Sequence, residues 1–184
     1  MPGKEKEVLI SGEELFRRPD LEPCELIEGR IVPRSPAGWR HGELEAWLAA
    51  RLFVWAEASG KGQASAGGVG IYIRRNPDTV RAADILYISN ERLAGREPSG
   101  YLDVAPELVV EVLSPEDRWS EVTAKLDDYF SAGVLAVWVV DPGRRKIFVY
   151  QSPSSARSLG VGEVLEDPEI LPGFSLPLAD LFRD

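Results

Sequence analysis

The chain has 184 residues, 44% of them hydrophobic and 28% charged, which suits one compact domain spanning 1–184 and leaves little room for a second. A single cysteine, Cys24, excludes a disulfide framework and a cysteine-rich metal cluster, and points to a reducing cytoplasm. With 30 acidic against 21 basic residues the net charge is −9, which excludes a coat for nucleic acid but not a local cleft that binds one.

In chain order, Met1–Glu7 is polar with alternating charge, and the longest apolar run, Leu135–Val140, falls far short of the ~20 residues a membrane helix needs. Neither a signal peptide nor a membrane span is expected. Ser11-Gly12-Glu13-Glu14 reads as a capping box opening a short helix that runs through Arg17 and stops at Pro19. Glu25-Leu26-Ile27 and Arg30-Ile31-Val32 form a hairpin across Glu28-Gly29. From His41 to Ser59 the apolar residues Leu44, Trp47, Leu48, Leu52 and Trp55 recur at helical spacing, with Gly60 placed as the cap. Val69, Ile71 and Ile73 then alternate with Gly70, Tyr72 and Arg74, and a turn at Asn76-Pro77-Asp78 leads into a second strand from Val80 to Ser89.

The stretch from Asn90 to Pro106, with Gly95, Pro98 and Gly100, is a loop with room for one helical turn. Leu108–Leu113 reads as a strand buried on both faces. Ser114-Pro115-Glu116-Asp117 is predicted to open a helix, with Ser114 as N-cap and Pro115 at the first position, running to about Ala132 and stopping at Gly133. Leu135–Val140 and Lys146–Tyr150 are further strands joined by a turn at Asp141-Pro142-Gly143. The strand at 108–113, the helix and the strand at 135–140 form a β-α-β unit, right-handed with parallel strands. The tail from Gly162 holds a short strand and a final helical turn, and no internal repeat is present.

Three residues are out of keeping with their surroundings. Glu111 interrupts a strand otherwise made of Leu and Val, and a lone buried carboxylate costs several kcal/mol without a metal or a cation beside it. An edge strand turning Glu111 to solvent, or a structural pair with an arginine, is the alternative. Asp84 follows Ala82 and Ala83, whose small side chains leave space for a ligand; a role at a turn or strand entry accounts for it equally well. If their strands adjoin, Asp84 and Glu111 can share one hard divalent cation.

The chain has 16 arginines but five lysines, and only two asparagines and two glutamines, a scarcity of thermolabile side chains that points to a thermophilic source. Against that arginine bias, Lys125 is the only lysine between Lys61 and Lys146. It flanks the helical stripe of Val122, Leu126 and Tyr129, so its ammonium either reaches Glu111 or snorkels to solvent. Together the three groups suit metal-assisted phosphodiester hydrolysis. Gly67-Gly68-Val69-Gly70 has no following lysine and reads as a strand bend. Arg74, Arg75 and Arg81 suit phosphate contacts or an exposed hairpin face. The five tryptophans fall mostly in apolar patterns, with Trp39 the exception.

Asp84, then Glu111 within Glu107–Pro115, then Lys125-Leu126-Asp127-Asp128-Tyr129 and Gly133–Asp141, together with Cys24–Gly29 and His41, resemble the bacterial restriction-endonuclease families of the PD-(D/E)xK nuclease superfamily. The resemblance runs from about Glu25 to Tyr150, with 151–184 as a C-terminal extension. It implies an α/β fold with a restriction-endonuclease-like core: a central mixed β-sheet flanked by α-helices, preceded by a helix and a hairpin. It further implies Asp84 and Glu111 as ligands of Mg²⁺ or Mn²⁺, Lys125 and Glu25 as further catalytic residues, and DNA as substrate. Two positions depart from the superfamily pattern. Ala83 stands where a proline precedes the aspartate, and Leu113 where a lysine follows the glutamate, so that Lys125 would be the lysine moved to the following helix.

Glu25 is favoured over Glu28 as the additional acid, because Glu28 sits in a turn. His41, the only histidine, and Arg81 are candidates for contact with substrate, and for His41 a plain helix-start contact is the alternative. A homodimer with two sites on opposite strands follows by analogy. The competing readings are a nuclease-fold scaffold without turnover, and a phosphodiesterase acting on RNA or a small nucleotide.

Overall fold

The computed structural model describes residues 9–21, 23–96 and 99–183; the polar stretch Met1–Glu7 and Pro98 of the predicted loop lie outside the described residues. The apolar runs form an eight-stranded mixed sheet of β1 (Cys24–Ile27), β2 (Arg30–Pro33), β3 (Gly62–Arg74), β4 (Thr79–Ser89), β5 (Leu108–Val112), β6 (Ala136–Asp141), β7 (Lys146–Ser152) and β8 (Ser155–Gly160). Its order is β2-β1-β4-β5-β6-β7-β8, with β3 also paired to β4. The helices are α1 (Gly12–Phe16), α2 (Trp39–Ser59), α3 (Asn90–Leu93), α4 (Trp119–Ala132) and α5 (Leu178–Leu181), and a small ribbon joins β9 (Val164–Leu165) to β10 (Leu176–Pro177). Among the described residues no helix is long and apolar enough to cross a membrane.

The sheet separates two cores. On one face Leu44, Leu48 and Leu52 of α2 pack on Ile85, Val110 and Trp138, joined by Phe174 and Phe182 of the C-terminal segment. On the other, Val122, Leu126 and Tyr129 of α4 pack on Val109, Val137 and Val139. The expected β-α-β unit is present: β5 and β6 are parallel, Leu108 against Ala136 through Val112 against Val140, with α4 as the crossover. The capping box closes on Ser11 and Glu14, and Gly60 and Gly133 end α2 and α4 in left-handed conformations.

One feature of the sheet positions everything that follows. Strand β4 is paired along its length with β3 on one edge. Its other edge is divided, with β1 meeting it at Val80 and β5 at Ile85–Tyr87. Between these two pairings lie Arg81–Asp84, so the sheet forks there.

The sequence reading assigns no strand to 155–160, where β8 lies, and one short strand to the tail, where β9 and β10 pair; two further elements also differ from it. Strand β3 begins at Gly62, well before the alternation becomes visible at Val69, because a bulge between Ala66 and Val69 shifts the period. Gly67 and Gly68 make that bend at φ +94° and +73°. Helix α4 starts at Trp119, not Ser114, and its N-cap is Arg118. Ser-Pro-Glu-Asp closes a turn of its own instead: the Asp117 amide donates to the Ser114 carbonyl, and the Asp117 carboxylate accepts the Ser114 amide at 2.7 Å. The capping acceptor of this segment is therefore Asp117, with Ser114 as its donor.

Candidate functional site

The fork leaves backbone groups that no strand can pair, and charged side chains take them. The Ala82 amide donates to Glu25 Oε1 at 3.1 Å, the Ala82 carbonyl accepts Arg34 at 3.1 Å, and the Val112 amide donates to Asp84 Oδ2 at 2.7 Å. The β4–β5 register pairs Ile85 with Val110. The ladder ends there: the next residue of β4, Asp84, takes the Val112 amide with its side chain and meets His41 of α2, and the next residue of β5, Glu111, meets Lys125 and Tyr129 of α4. Asp84 and Glu111 are 7% and 6% exposed, and with Glu25, His41, Arg81 and Lys125 they line one open cleft.

Helix α4 crosses this end of the sheet. Lys125 and Tyr129, one turn apart, take the two oxygens of Glu111: Lys125 Nζ lies 2.5 Å from Oε2, and the Tyr129 hydroxyl donates to Oε1 at 2.6 Å. Lys125 also lies 3.7 Å from Glu25. Glu25 is held by Arg34 at 3.0 Å and Arg81 at 2.9 Å, and Arg81 continues to Asp128 at 2.7 Å. Glu28, in a left-handed turn conformation, is exposed and 3.6 Å from Arg74. Of the two acids weighed in this hairpin, Glu25 is the one that enters the cluster.

Burial sets these carboxyls apart. It pushes the Glu111 carboxyl up, with Lys125 pulling the other way and Asp84 adding to the rise. Burial also acts on Glu25, but the attraction of Lys125, Arg81 and Arg34 outweighs it and holds that carboxyl below its ordinary value. Asp84 is likewise held low despite burial, by hydrogen bonding from His41 and from the Val112 amide. Tyr129 is pushed well up by burial and by the neighbouring acids.

His41 extends the buried stripe of α2 past the end of the sheet. Its Nε2 lies 3.5 Å from Asp84 Oδ2 and 3.6 Å from Glu45 Oε2, while Nδ1 faces Ser114 Oγ at 3.3 Å. The Asp84 and Glu45 carboxylates hold the imidazole up at about 9. Glu45 is itself fixed by the Gly67 amide, which donates to Oε1 at 3.0 Å from the β3 bulge. Trp39 stands 88% exposed at the cleft's rim, as its sequence pattern suggested. Trp119, expected in the core, is 44% exposed because α4 begins with it, and it rests edge-on against Phe148.

Sequence reasoning missed Glu45, Tyr129, Arg34 and Asp128. The first two carried a signal, since Glu45 follows His41 and Tyr129 follows Lys125 by four residues on one helix face. Tyr129 had read only as part of the apolar stripe. Arg34 and Asp128 carried none, because their partners are set by the fork.

A mixed sheet with helices on both faces, two acids lining one cleft where an antiparallel pair opens, and a lysine brought in by the crossover helix define a protein of the restriction-endonuclease-like nuclease fold. The chain belongs to the Uma2 family, described as "Putative restriction endonuclease", whose pattern it matches over residues 13–179. It is similar in structure to a "putative nuclease belonging to DUF820" from Anabaena variabilis, with a TM-score of 0.79, 22% identity, and coverage of 94% of this chain and 97% of that one. No curated protein matches the chain.

Proposed function

We propose that the chain is a metal-dependent endonuclease that hydrolyses DNA phosphodiester bonds. The observation that supports this best is the meeting, in one cleft, of Asp84 and Glu111 with the Lys125 ammonium 2.5 Å from Glu111. The donor set suits a hard divalent cation: the acids are buried on adjacent strands, Asp84 oriented by the Val112 amide and Glu111 by the Tyr129 hydroxyl. The ammonium marks the point at which Glu111 already draws positive charge. Asp84 and Glu111 would hold Mg²⁺ or Mn²⁺, which when bound polarises a phosphoryl oxygen and acidifies a water.

The chain's own residues supply the rest. With a cation held there, Lys125 would be free of Glu111 and would donate to the attacking water or to the phosphorane oxygens, where negative charge develops. Glu25 keeps that ammonium within reach of the cleft, at 3.7 Å. Arg81, bonded to Glu25 and Asp128, positions Glu25 and leaves phosphate contact to whatever hydrogen-bonding capacity remains. His41, on the far side of Asp84, orients that carboxylate.

Supercoiled plasmid incubated with Mg²⁺ or Mn²⁺ tests the reading: the wild type nicks it, and Asp84→Ala, Glu111→Ala and Lys125→Ala each lose at least a hundredfold in rate. Equal cleavage by all four preparations refutes it. The second reading, a nuclease-fold scaffold without turnover, is favoured by Leu113 in the place of the superfamily's lysine and by the occupation of both Glu111 oxygens by Lys125 and Tyr129. An absence of divalent-cation binding in calorimetry would select it. Parallel RNA and cyclic-nucleotide substrates separate the remaining hydrolase options. On the same reading the chain is a single domain that acts as a homodimer, for which light scattering should give twice the chain mass.

A further inference from the structure

Three donors face one another at the start of α2, His41, Glu45 and Asp84, a set that the sequence reading did not assemble because it passed over Glu45. We propose a second cation site, built by His41, Glu45 and Asp84, that takes a divalent transition ion such as Mn²⁺ in preference to Ca²⁺. It shares Asp84 with the centre proposed above and rests on that reading for any part in turnover, though not for its affinity.

The geometry carries the argument. One nitrogen and two carboxylate oxygens from α2 and β4 lie within 4.8 Å of one another. Two ligand atoms each about 2.1 Å from an ion stand about 3.4 Å apart at the tetrahedral angle and about 3.0 Å apart at the octahedral angle that Mn²⁺ prefers. The Nε2 to Asp84 and Nε2 to Glu45 separations of 3.5 and 3.6 Å match the first and lie about 0.5 Å beyond the second. Two of the donors are also held from behind: Ser114 faces the other ring nitrogen at 3.3 Å, and the Gly67 amide holds the remaining oxygen of Glu45 at 3.0 Å. The Val112 amide fixes Asp84 at 2.7 Å through Oδ2, the same oxygen that faces His41. Support of this kind, reaching a histidine through its second nitrogen, is what keeps metal ligands in position.

The chemistry sets the class of ion. Ca²⁺ and Mg²⁺ are bound by oxygen, and imidazole suits later first-row ions such as Fe²⁺, Ni²⁺ and Zn²⁺; Mn²⁺, which favours carboxylate oxygen, accepts one imidazole beside two carboxylates and is the paramagnetic member of the series used as the probe. Asp84 would then bridge two ions, as carboxylates do in two-metal hydrolytic sites, with Glu111 on one side and His41 and Glu45 on the other. The rival account is that a protonated His41 is itself the counter-ion of both acids and no ion enters.

Because His41 is the only histidine in the chain, pulsed electron paramagnetic resonance of Mn²⁺ added to the full, tag-free protein tests the site directly. The expected result is two bound Mn²⁺ per chain and nitrogen modulation from an imidazole. That modulation should persist in Glu111→Gln, vanish in His41→Asn, and require at least tenfold more Mn²⁺ in Glu45→Gln. In the wild type, Ca²⁺ should displace the nitrogen-coordinated Mn²⁺ only in tenfold or greater excess, a measurement that needs no variant to fold. Bound Mn²⁺ without nitrogen modulation, no bound Mn²⁺ at millimolar concentration, modulation indifferent to Glu45→Gln, or equal competition by Ca²⁺ overturns the proposal. The plasmid assay on the same preparations separates the two readings. Modulation without nicking keeps this site and refutes the nuclease, and nicking without modulation does the reverse.

Discussion

Replacing Lys125 by Met removes an ammonium from between two buried carboxylates while keeping most of the stem that packs on the sheet. Glu111 and Glu25 are 8% and 5% exposed in their side chains, and Lys125 is 15% exposed. Breaking a buried pair from one side costs roughly 3–5 kcal/mol, because the remaining charge is left uncompensated. Here the lower end applies, since Tyr129 still donates to Glu111 and Arg34 and Arg81 still hold Glu25. We expect a loss of about 3 kcal/mol at pH 8.

The pH dependence follows from Glu111. Burial already pushes its carboxyl up and Lys125 is the principal group pulling it down, so the variant raises it further. A carboxyl raised in the folded state binds a proton that the unfolded chain releases, so stability falls as pH rises from the ordinary carboxylate value through the raised one. Below that window Glu111 is neutral and needs no cation. The gap between variant and wild type should therefore be smaller at pH 5 than at pH 8. Adding Glu111→Gln to Lys125→Met should return stability to within about 1 kcal/mol of wild type even at pH 8. Urea unfolding at both pH values, read from the midpoint at unchanged slope, measures all of this. A gap independent of pH, or no recovery in the double variant, refutes the account of Glu111 as a charge that depends on Lys125.

Three further outcomes follow from single contacts. Hydrogen bonding from the Arg75 guanidinium holds the Glu13 carboxyl down at about 2, below an ordinary 4.5, so the contribution of this pair is present above pH 4.5 and is lost as pH falls towards 2. With Glu13 53% exposed, solvent screening keeps that contribution below about 1 kcal/mol, and Glu13→Gln should lower the melting temperature at pH 6 but not at pH 2. Gly70→Ala would place a β-carbon 2.2 Å from the Tyr101 ring, which packs edge-on against Phe16 and Tyr72; displacing it should cost about 1–3 kcal/mol in urea unfolding. Trp39→Ala should change stability by less than about 0.5 kcal/mol, whereas Trp138→Ala, fully buried between β5 and β7, should cost about 3–5 kcal/mol by calorimetry.

The parts of the fold legible in the sequence are those in which local chemistry and tertiary packing agree. The capping box at Ser11, the Gly60 and Gly133 stops, the apolar runs of β5 and β6 and the stripe of α4 each carry their own signal. The failures have physical causes. The bulge at Gly67–Gly68 breaks the alternation that would have revealed the first half of β3. Ser114-Pro115 has the residue types of a helix start, but Asp117 satisfies its backbone first. Asp84 and Glu111 stand out because charge is conspicuous among Leu, Val and Ala, and Lys125 because lysine is scarce in an arginine-rich chain. Glu45, Arg34 and Asp128 were hidden because charge on a helix or loop is ordinary until a partner is known, and the division of the β4 edge that supplies their partners is a long-range property.

Stability does not explain the charge collected at that division. Burying an ion such as Glu25 costs several kcal/mol. Its bonds to Arg34, Arg81 and the Ala82 amide return about 1.5–3 kcal/mol each, so the two sides nearly cancel, and the buried arginines bring desolvation costs of their own. An aliphatic side chain of similar volume would contribute about 1.5–3 kcal/mol by burial with no opposing term. The chain takes that course everywhere else on these strands, filling β6 with Ala, Val and Trp up to Asp141. Where the β4 edge opens it places carboxylates instead, and Glu25 and Asp84 accept there the amides of Ala82 and Val112. A carboxylate is a neutral choice there for the fold, because one of its oxygens replaces a lost strand partner. The same substitution turns charge towards the cleft, and that is the property an aliphatic replacement could not supply.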